Sequence, residues 1–400
     1  MNRFGAAFST DADLDAAVEQ ACAAALVPLG GARPSLCVLF VSHEHKDGFD
    51  RVARMVRARV AADRLLGCSG DTVVGNGREV EDGPCLAVWL ASFEEGEVEA
   101  FGLDVEQDGS TLHIRGFPGA GSAPERGGPV SLLLLGEPYS FPAEHFLQTL
   151  NDGMPGMKVM GGMASGGRGP GTNALFLDDD CRHEGAVGAV LRGIAVRHVV
   201  SQGCRPIGRS MVITRAKENV IEELAGKPPL EQLKSLFEEV VAEEKVLLSK
   251  ALKSGGLHLG QVIDERISQP QRGDFLIRNM TGIDSKSGFI HLGDQARRGR
   301  TVRFHVRDAA SADEELRQLL DGVKAGGAKQ SGGTGGALLF TCNGRGTRFF
   351  QSPDHDAGAL QQHAGPLPAA GFFCAGEIGP VGGRNFLHGF TASVALFDAE

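Results

Sequence analysis

The run Gly371-Phe372-Phe373-Cys374-Ala375-Gly376-Glu377-Ile378-Gly379-Pro380 sets a thiol and a carboxylate on a glycine-punctuated turn between apolar segments. Asn385-Phe386-Leu387-His388-Gly389-Phe390-Thr391 follows and adds an amide and an imidazole. Glycine has no side chain to keep a ligand away from backbone. Asn343, Arg345, His355 and Asp356 fall on turns of the same unit. An arginine fork pairs bidentately with a carboxylate, and Glu377 accepts an ammonium. That is the chemistry of amino-acid recognition. An architectural reading stands beside it, with Glu377 and Asn385 tying down a tight turn through backbone hydrogen bonds. Cys374 with His355 or His388 is, by residue type, a nucleophile and its base. No oxyanion hole or nucleophile elbow is marked nearby, so no catalytic residue is assigned.

Three other places could carry chemistry. Gly161–Gly171 is glycine-rich and holds Arg168, but it lacks the Lys-Ser/Thr ending of a P-loop and no helix pattern follows. A flexible turn that lines a cleft is expected. Cys204 and Arg205 precede Pro206 and form either a second binding rim or a turn locked by the proline. His43-Glu44-His45 offers two imidazoles without a third ligand, so a solvated loop is expected. No metal and no cofactor are expected.

The elements that position these residues repeat. Ser35–Val41, Val130–Leu135 and Ala337–Thr341 are continuous apolar runs, the pattern of strands buried on both faces. Each is followed by a helix, near Val52–Val60, Pro142–Leu150 and Asp356–Ala364, then by a strand running into a glycine turn, then by another strand. Roughly 30 residues separate the first strand from the glycine turn in each copy. Before the first copy, Arg3–Phe8 reads as a strand, and Thr10 with Asp13 as a capping box. Between the second and third copies, Lys227-Pro228-Pro229 opens a long helix running through Leu248. Ser311 with Glu314 opens another helix, and Lys329–Gly336 reads as a glycine-rich connector. The expected fold is α/β: two domains of mixed, largely antiparallel sheets with helices outside, built on a repeated strand-helix-strand-turn-strand unit. An αββα layering would bury the apolar runs on both faces.

The chain resembles the FIST family, which joins a FIST N-terminal domain to a FIST-C domain. In the first domain the resemblance rests on Gly67-Cys68-Ser69-Gly70, Ser201-Gln202-Gly203-Cys204-Arg205-Pro206-Ile207-Gly208 and Leu224-Ala225-Gly226-Lys227-Pro228. In the second it rests on Thr341-Cys342-Asn343-Gly344-Arg345-Gly346, His355-Asp356 and the stretch through Thr391. It implies domains at 1–226 and 227–400, and a sensory module for small metabolites such as amino acids. It supplies no catalytic residues. No residues remain for an output domain, so a signalling partner in trans is expected. Two alternatives stay open: an adaptor that binds protein without a ligand, and a cysteine-dependent enzyme using Cys374.

Composition limits the remaining classes. The formal net charge of −10 argues against a nucleic-acid or anionic-membrane binder. Arg297–Arg307 alternates basic and apolar residues and reads as a solvated strand face. No apolar run approaches the ~18 residues of a membrane span. The N-terminus lacks a signal-peptide layout. The eight cysteines include no C-x-x-C pair, so a reduced, cytoplasmic chain is expected.

Overall fold

The three apolar runs become the central strands of three sheets. The computed structural model describes residues 1–109, 111–118, 128–327 and 333–400. The first copy is β1 (Arg3–Ser9), α1 (Leu14–Leu26), β2 (Leu36–Ser42), α2 (Phe49–Val60), β3 (Arg64–Gly70), the hairpin β4 (Val73–Gly75) and β5 (Arg78–Val80), and β6 (Leu86–Ser92). The second is β7 (Glu97–Asp108), β8 (Thr111–Arg115), β9 (Val130–Gly136), α3 (Ala143–Gly153), β10 (Lys158–Met163), the hairpin β11 (Leu175–Leu177) and β12 (Asp180–Arg182), and β13 (Ala186–Arg192). The third opens with β14 (Val196–Ser201) and is interrupted by an insertion. That insertion comprises β15 (Cys204–Lys217), β16 (Val220–Leu224), α4 (Pro229–Glu239), α5 (Ala242–Ser254), β17 (Leu257–Val262), β18 (Phe275–Ile283), β19 (Ile290–Leu292) and β20 (Thr301–Arg307). The third copy resumes with α6 (Ala309–Gly327), β21 (Thr334–Cys342), α7 (Thr347–Phe350), α8 (His355–Ala364), β22 (Ala369–Cys374), the hairpin β23 (Glu377–Val381) and β24 (Arg384–His388), and β25 (Ala392–Asp398).

The sheet orders are β1-β6-β2-β3-β11-β12, β8-β7-β13-β9-β10-β23-β24 and β14-β25-β21-β22-β4-β5. Each is the same arrangement. A parallel pair joined through a helix (β2–β3, β9–β10, β21–β22) carries an antiparallel strand on its first member (β6, β13, β25). Each second member pairs with a hairpin lent by another copy: β11 on β3, β23 on β10, β4 on β22. The three copies therefore exchange hairpins in a cycle. Asn76-Gly77 and Gly382-Gly383 turn two of these hairpins with positive φ at both residues, the conformation that a tight two-residue hairpin requires.

Strand alternation explains the layers. On β2, Leu36, Val38 and Phe40 enter a core shared by all three sheets, while Cys37, Leu39 and Val41 pack beneath α1 and α2. Leu133 and Leu135 enter the shared core from β9, with Leu132 and Leu134 under α3. Leu338 and Phe340 enter it from β21, with Ala337 and Leu339 under α6 and α8. The expected face-to-face sheets with helices outside are present, with three sheets around one core. Across each parallel pair a leucine faces a glycine: Leu39–Gly67, Leu134–Gly161 and Leu339–Gly371. A Cβ on any of these glycines would lie 1.9–2.2 Å from the opposing leucine carbonyl oxygen. The three copies thus share a steric requirement as well as an order of elements.

Compactness divides the chain elsewhere than the motif boundary at 226/227. One unit is Met1–Ser201 with Leu316–Glu400, and the other is Gln202–Glu315. The second unit contains a closed antiparallel barrel, β15-β16-β19-β18-β17-β20. The basic alternating stretch is β20, with Val302, Phe304 and Val306 in the barrel core. Its other face is not fully solvated, because His305 is buried there.

Several local expectations change. The long helix from Lys227 is two helices, α4 and α5, because Val240 and Val241 are extended, as suits β-branched residues. Asp13, not Thr10, caps α1, by accepting from the Ala16 N–H. Asp308 caps the Ser311 helix. The connector expected at Lys329–Gly336 lies outside the described residues as far as Gly332, and Thr334 is already strand. No helix among the described residues is long and apolar enough to cross a membrane.

Candidate functional site

The second strand of each parallel pair ends at one junction, where β3, β10 and β22 finish at Gly70, Met163 and Cys374. The residues there exchange backbone hydrogen bonds between copies. Ser165 N–H donates to Ser69 C=O (3.1 Å), Phe373 N–H to Thr72 C=O (2.9 Å), Met163 N–H to Gly376 C=O (2.8 Å) and Ala375 N–H to Met163 C=O (3.0 Å). The buried Ser165 hydroxyl donates to Phe373 C=O and accepts from Asp71 N–H (2.9 Å). Ser69 Oγ donates in turn to Ser165 C=O (3.2 Å). One serine therefore ties all three copies together. Asp71 and Ala375, its counterparts in the other two, are exposed.

The copies differ in how they leave the junction. β3 reaches β4 through Asp71-Thr72, and β22 reaches β23 through Ala375-Gly376, but β10 reaches β11 only after Ala164–Ala174. That loop, expected to be flexible, is pinned. Gly167 N–H donates to Asn173 Oδ1 (2.9 Å), Asn173 Nδ2 donates to the buried Glu137 Oε1 (3.1 Å), and Thr172 Oγ1 donates to Gly169 C=O (2.6 Å). Arg168 is exposed on it.

Most of the C-terminal candidates gather at the carboxyl ends of β21 and β22. Asn343 N–H donates to Cys374 C=O (3.1 Å), and Asn343 is exposed. Arg345 is buried, and its fork is filled from within the chain: Nε and Nη2 donate to the two Asp356 oxygens at 2.6 and 2.8 Å. Thr341 Oγ1 donates to Asp356 as well (2.5 Å), and His355 Nδ1 lies 2.8 Å from it. Phe350 stacks on the His355 ring, and the Arg345 guanidinium lies 4.9 Å from its centroid. Burial alone would raise the Asp356 carboxyl, but the Arg345 and His355 charges hold it below the usual carboxylate range. The carboxylate in the Arg345 fork is thus that of Asp356, at the N-terminal turn of α8, and not the ligand carboxylate expected there; the helix dipole also favours an anion at that turn.

Glu79, on the hairpin lent by the first copy, closes the same N-terminus. Its N–H donates to Asp354 Oδ1 (2.7 Å) and its Oε1 accepts from Ala357 N–H (2.9 Å). A carboxylate from another copy thus caps the α8 N-terminus, where the N-cap residue Asp354 makes no side-chain cap bond of its own. Burial first, then the neighbouring Asp356 charge, pushes Glu79 up to about 8.

The remaining candidates hold the architecture. Glu377 Oε2 accepts from Thr391 N–H (2.9 Å), the turn-fastening role weighed for it. His388 stands opposite Glu377 across the hairpin, with Nε2 3.0 Å from Gly379 C=O. Asn385 sits apart, clamping Asn151, Met157 and Val159 beside α3 and β10. Cys374 is buried, and burial holds its thiol well above the ordinary range. Cys204 and Arg205 begin β15 of the barrel unit, a strand paired with β20. A cavity of about 420 Å³, lined by Ile114, Phe117, His145, Phe146, Leu150 and Met154 among others, includes none of the candidates. Sequence reading missed Ser165, Glu79 and Asp71. Ser165 lies within the singled-out glycine loop, and no signal in the sequence marked the other two.

Two family domains match the chain, the FIST N domain over residues 35–227 and the FIST C domain over residues 230–380. An uncharacterized protein of Mycobacterium tuberculosis (strain ATCC 25618 / H37Rv) is 43% identical over 395 residues, covering 99% of each chain. An uncharacterized protein of Mycobacterium bovis is 42% identical over 395 residues, covering 99% of this chain and 98% of its own.

Proposed function

The chain belongs to the FIST family, and we propose that it is a sensory module of signal transduction that binds a small amino-acid-like metabolite and signals through a separate protein partner. The observation that carries this reading is the convergence of three strand ends on Ser165. In open α/β sheets, ligands bind beyond the carboxyl ends of the parallel strands. Here three such ends meet: Asp71 and Arg168 are exposed on the segments leaving β3 and β10, and Asn343 is exposed on the turn after β21, where its N–H donates to Cys374 C=O at the end of β22. A carboxylate for an ammonium, an amide, and a guanidinium for a carboxylate suit a zwitterion. Arg345 and Asp356 then support the binding turn rather than touch the ligand. Binding without catalysis is the accompanying reading, because the buried Cys374 thiol is a poor nucleophile.

A thermal-shift screen against amino acids and nucleotides tests the proposal. A ligand at a hundred times its Kd adds about 2.7 kcal/mol. An amino acid should raise Tm in the wild type, and Arg168→Ala and Asn343→Ala should lose that rise while keeping the unliganded Tm. If no compound moves Tm, the ligand-sensor reading fails.

A further inference from the structure

We propose that Asp50, Cys181 and His183 form a binding site for a zinc-class divalent cation, where α2 of the first copy meets the hairpin β11–β12 lent by the second. The Asp50 carboxylate, the Cys181 thiol and a His183 ring nitrogen offer ligand atoms that all lie within 4.8 Å of one another. His183 Nε2 is 3.8 Å from Cys181 Sγ and 3.7 Å from Asp50 Oδ1. Ligands bound at about 2.0–2.3 Å around a tetrahedral zinc stand roughly 3.3–3.7 Å apart, so a small inward movement of these side chains completes the geometry.

The orientation of His183 is the second observation. Its Nδ1 lies 2.8 Å from the Asn173 carbonyl oxygen. A carbonyl accepts only, so Nδ1 carries a proton, and in the neutral ring Nε2 then presents its lone pair on the side of the thiol and the carboxylate. Fixing a ligand histidine by a hydrogen bond at its other nitrogen is the usual outer-shell arrangement at metal sites. Asn173 is itself held by Gly167 and Glu137, which gives the pinned loop a role. An Arg57–Asp179 ion pair (2.7 Å) braces α2 against the same hairpin.

A nucleophilic Cys-His-Asp triad fits less well. There the carboxylate orients the histidine from the nitrogen opposite the thiol, whereas Asp50 and Cys181 face the same nitrogen. Sulfur, nitrogen and oxygen together favour zinc over calcium or magnesium, which prefer oxygen alone. Three protein ligands leave a fourth position for water. On binding, Cys181 coordinates as thiolate and its proton leaves to solvent. No motif marks the site, because Asp50 lies far along the chain from Cys181 and His183.

The test uses the full-length chain freed of metal by a chelator and titrated with zinc against a chromophoric competitor. Cobalt serves as the spectroscopic probe. One ion per chain is expected, with a thiolate-to-cobalt charge-transfer band. Cys181→Ser should abolish that band, and His183→Ala should weaken zinc binding by at least about tenfold, since outer-shell losses alone cost that much. Asp50→Asn should weaken it too, and this variant keeps its fold because the Asp50 side chain is 91% exposed. Cys342→Ser, a control thiol, should bind as the wild type does. Failure of the wild type to compete with the chelator overturns the proposal. So does wild-type affinity in both Cys181→Ser and Asp50→Asn.

Discussion

Arg345 and Asp356 face each other as fork and carboxylate, with Nε and Nη2 at 2.6 and 2.8 Å from the two oxygens and both side chains buried. Removing either partner leaves a buried charge without its counter-charge, which costs about 3–5 kcal/mol. Arg345→Ala and Asp356→Asn should each lower the urea midpoint by that measure. Trp89, the sole tryptophan and fully buried in the shared core, reports the transition by fluorescence. Arg345→Lys should rescue little, because an ammonium cannot reproduce the two-point contact. Losses below about 1 kcal/mol would mean that the pair does not hold the turn.

Glu79 makes the same region sensitive to alkali. Its folded-state value of about 8 lies above the ordinary 4.5, through burial first and Asp356 second. The folded chain therefore holds the proton more tightly than the unfolded one. The stability that Glu79 contributes is complete below about pH 4.5 and is lost as pH rises through about 8. Asp356 has the opposite sign and matters only at lower pH, since its pKa is depressed. Between pH 5 and 9, wild-type stability should decline while Glu79→Gln stays flatter. Parallel curves for the two proteins would contradict the assignment.

How much of this could be read beforehand follows from what each residue contacts. The runs around Leu39, Leu134 and Leu339 are apolar on both faces, so the three buried strands, their helices and their glycine turns were legible. The hairpin exchange was not. β4, β5, β11 and β12 have three residues each, too few to encode which strand they pair with. Glu79 was lost with the exchange, because its contacts lie on the third copy. Arg345 and Asp356 were singled out by type, yet nothing in their spacing showed that they would satisfy each other.

The glycines opposite the three leucines test the equivalence of the copies. Gly67→Ala, Gly161→Ala and Gly371→Ala each drive a Cβ against backbone oxygen at 2.2, 1.9 and 1.9 Å. Backbone cannot step aside as a side chain can. All three variants should be destabilised by several kcal/mol or fail to accumulate folded, on the order of other overpacked cores or more. Gly358, inside α8 with nothing within 4 Å of its added Cβ, is the control. Gly358→Ala should gain about 0.5–1 kcal/mol from helix propensity. If one of the three core variants behaves like the control, that copy does not share the packing of the others.

The barrel unit should respond to acid. His305 on β20 pairs in register with His258 on β17 and lies 4.8 Å from the Phe275 ring centroid. Gly260 leaves room for the His305 ring, since a Cβ there would come within 2.2 Å of it. Burial, outweighing the Nδ1 hydrogen bond to Arg303 C=O, pushes His305 down to about 3, and burial with Arg307 pushes His258 down to about 4. The unfolded chain therefore binds protons that the folded barrel refuses. Stability is complete above about pH 6.5 and is lost as pH falls toward 3. Urea unfolding followed by circular dichroism at pH 7 and pH 4.5 should show a weaker barrel at the lower pH. His305→Phe keeps a ring against Phe275 and removes one titrating group, so it should narrow that difference. An unchanged difference would show that the acid response arises outside this pair.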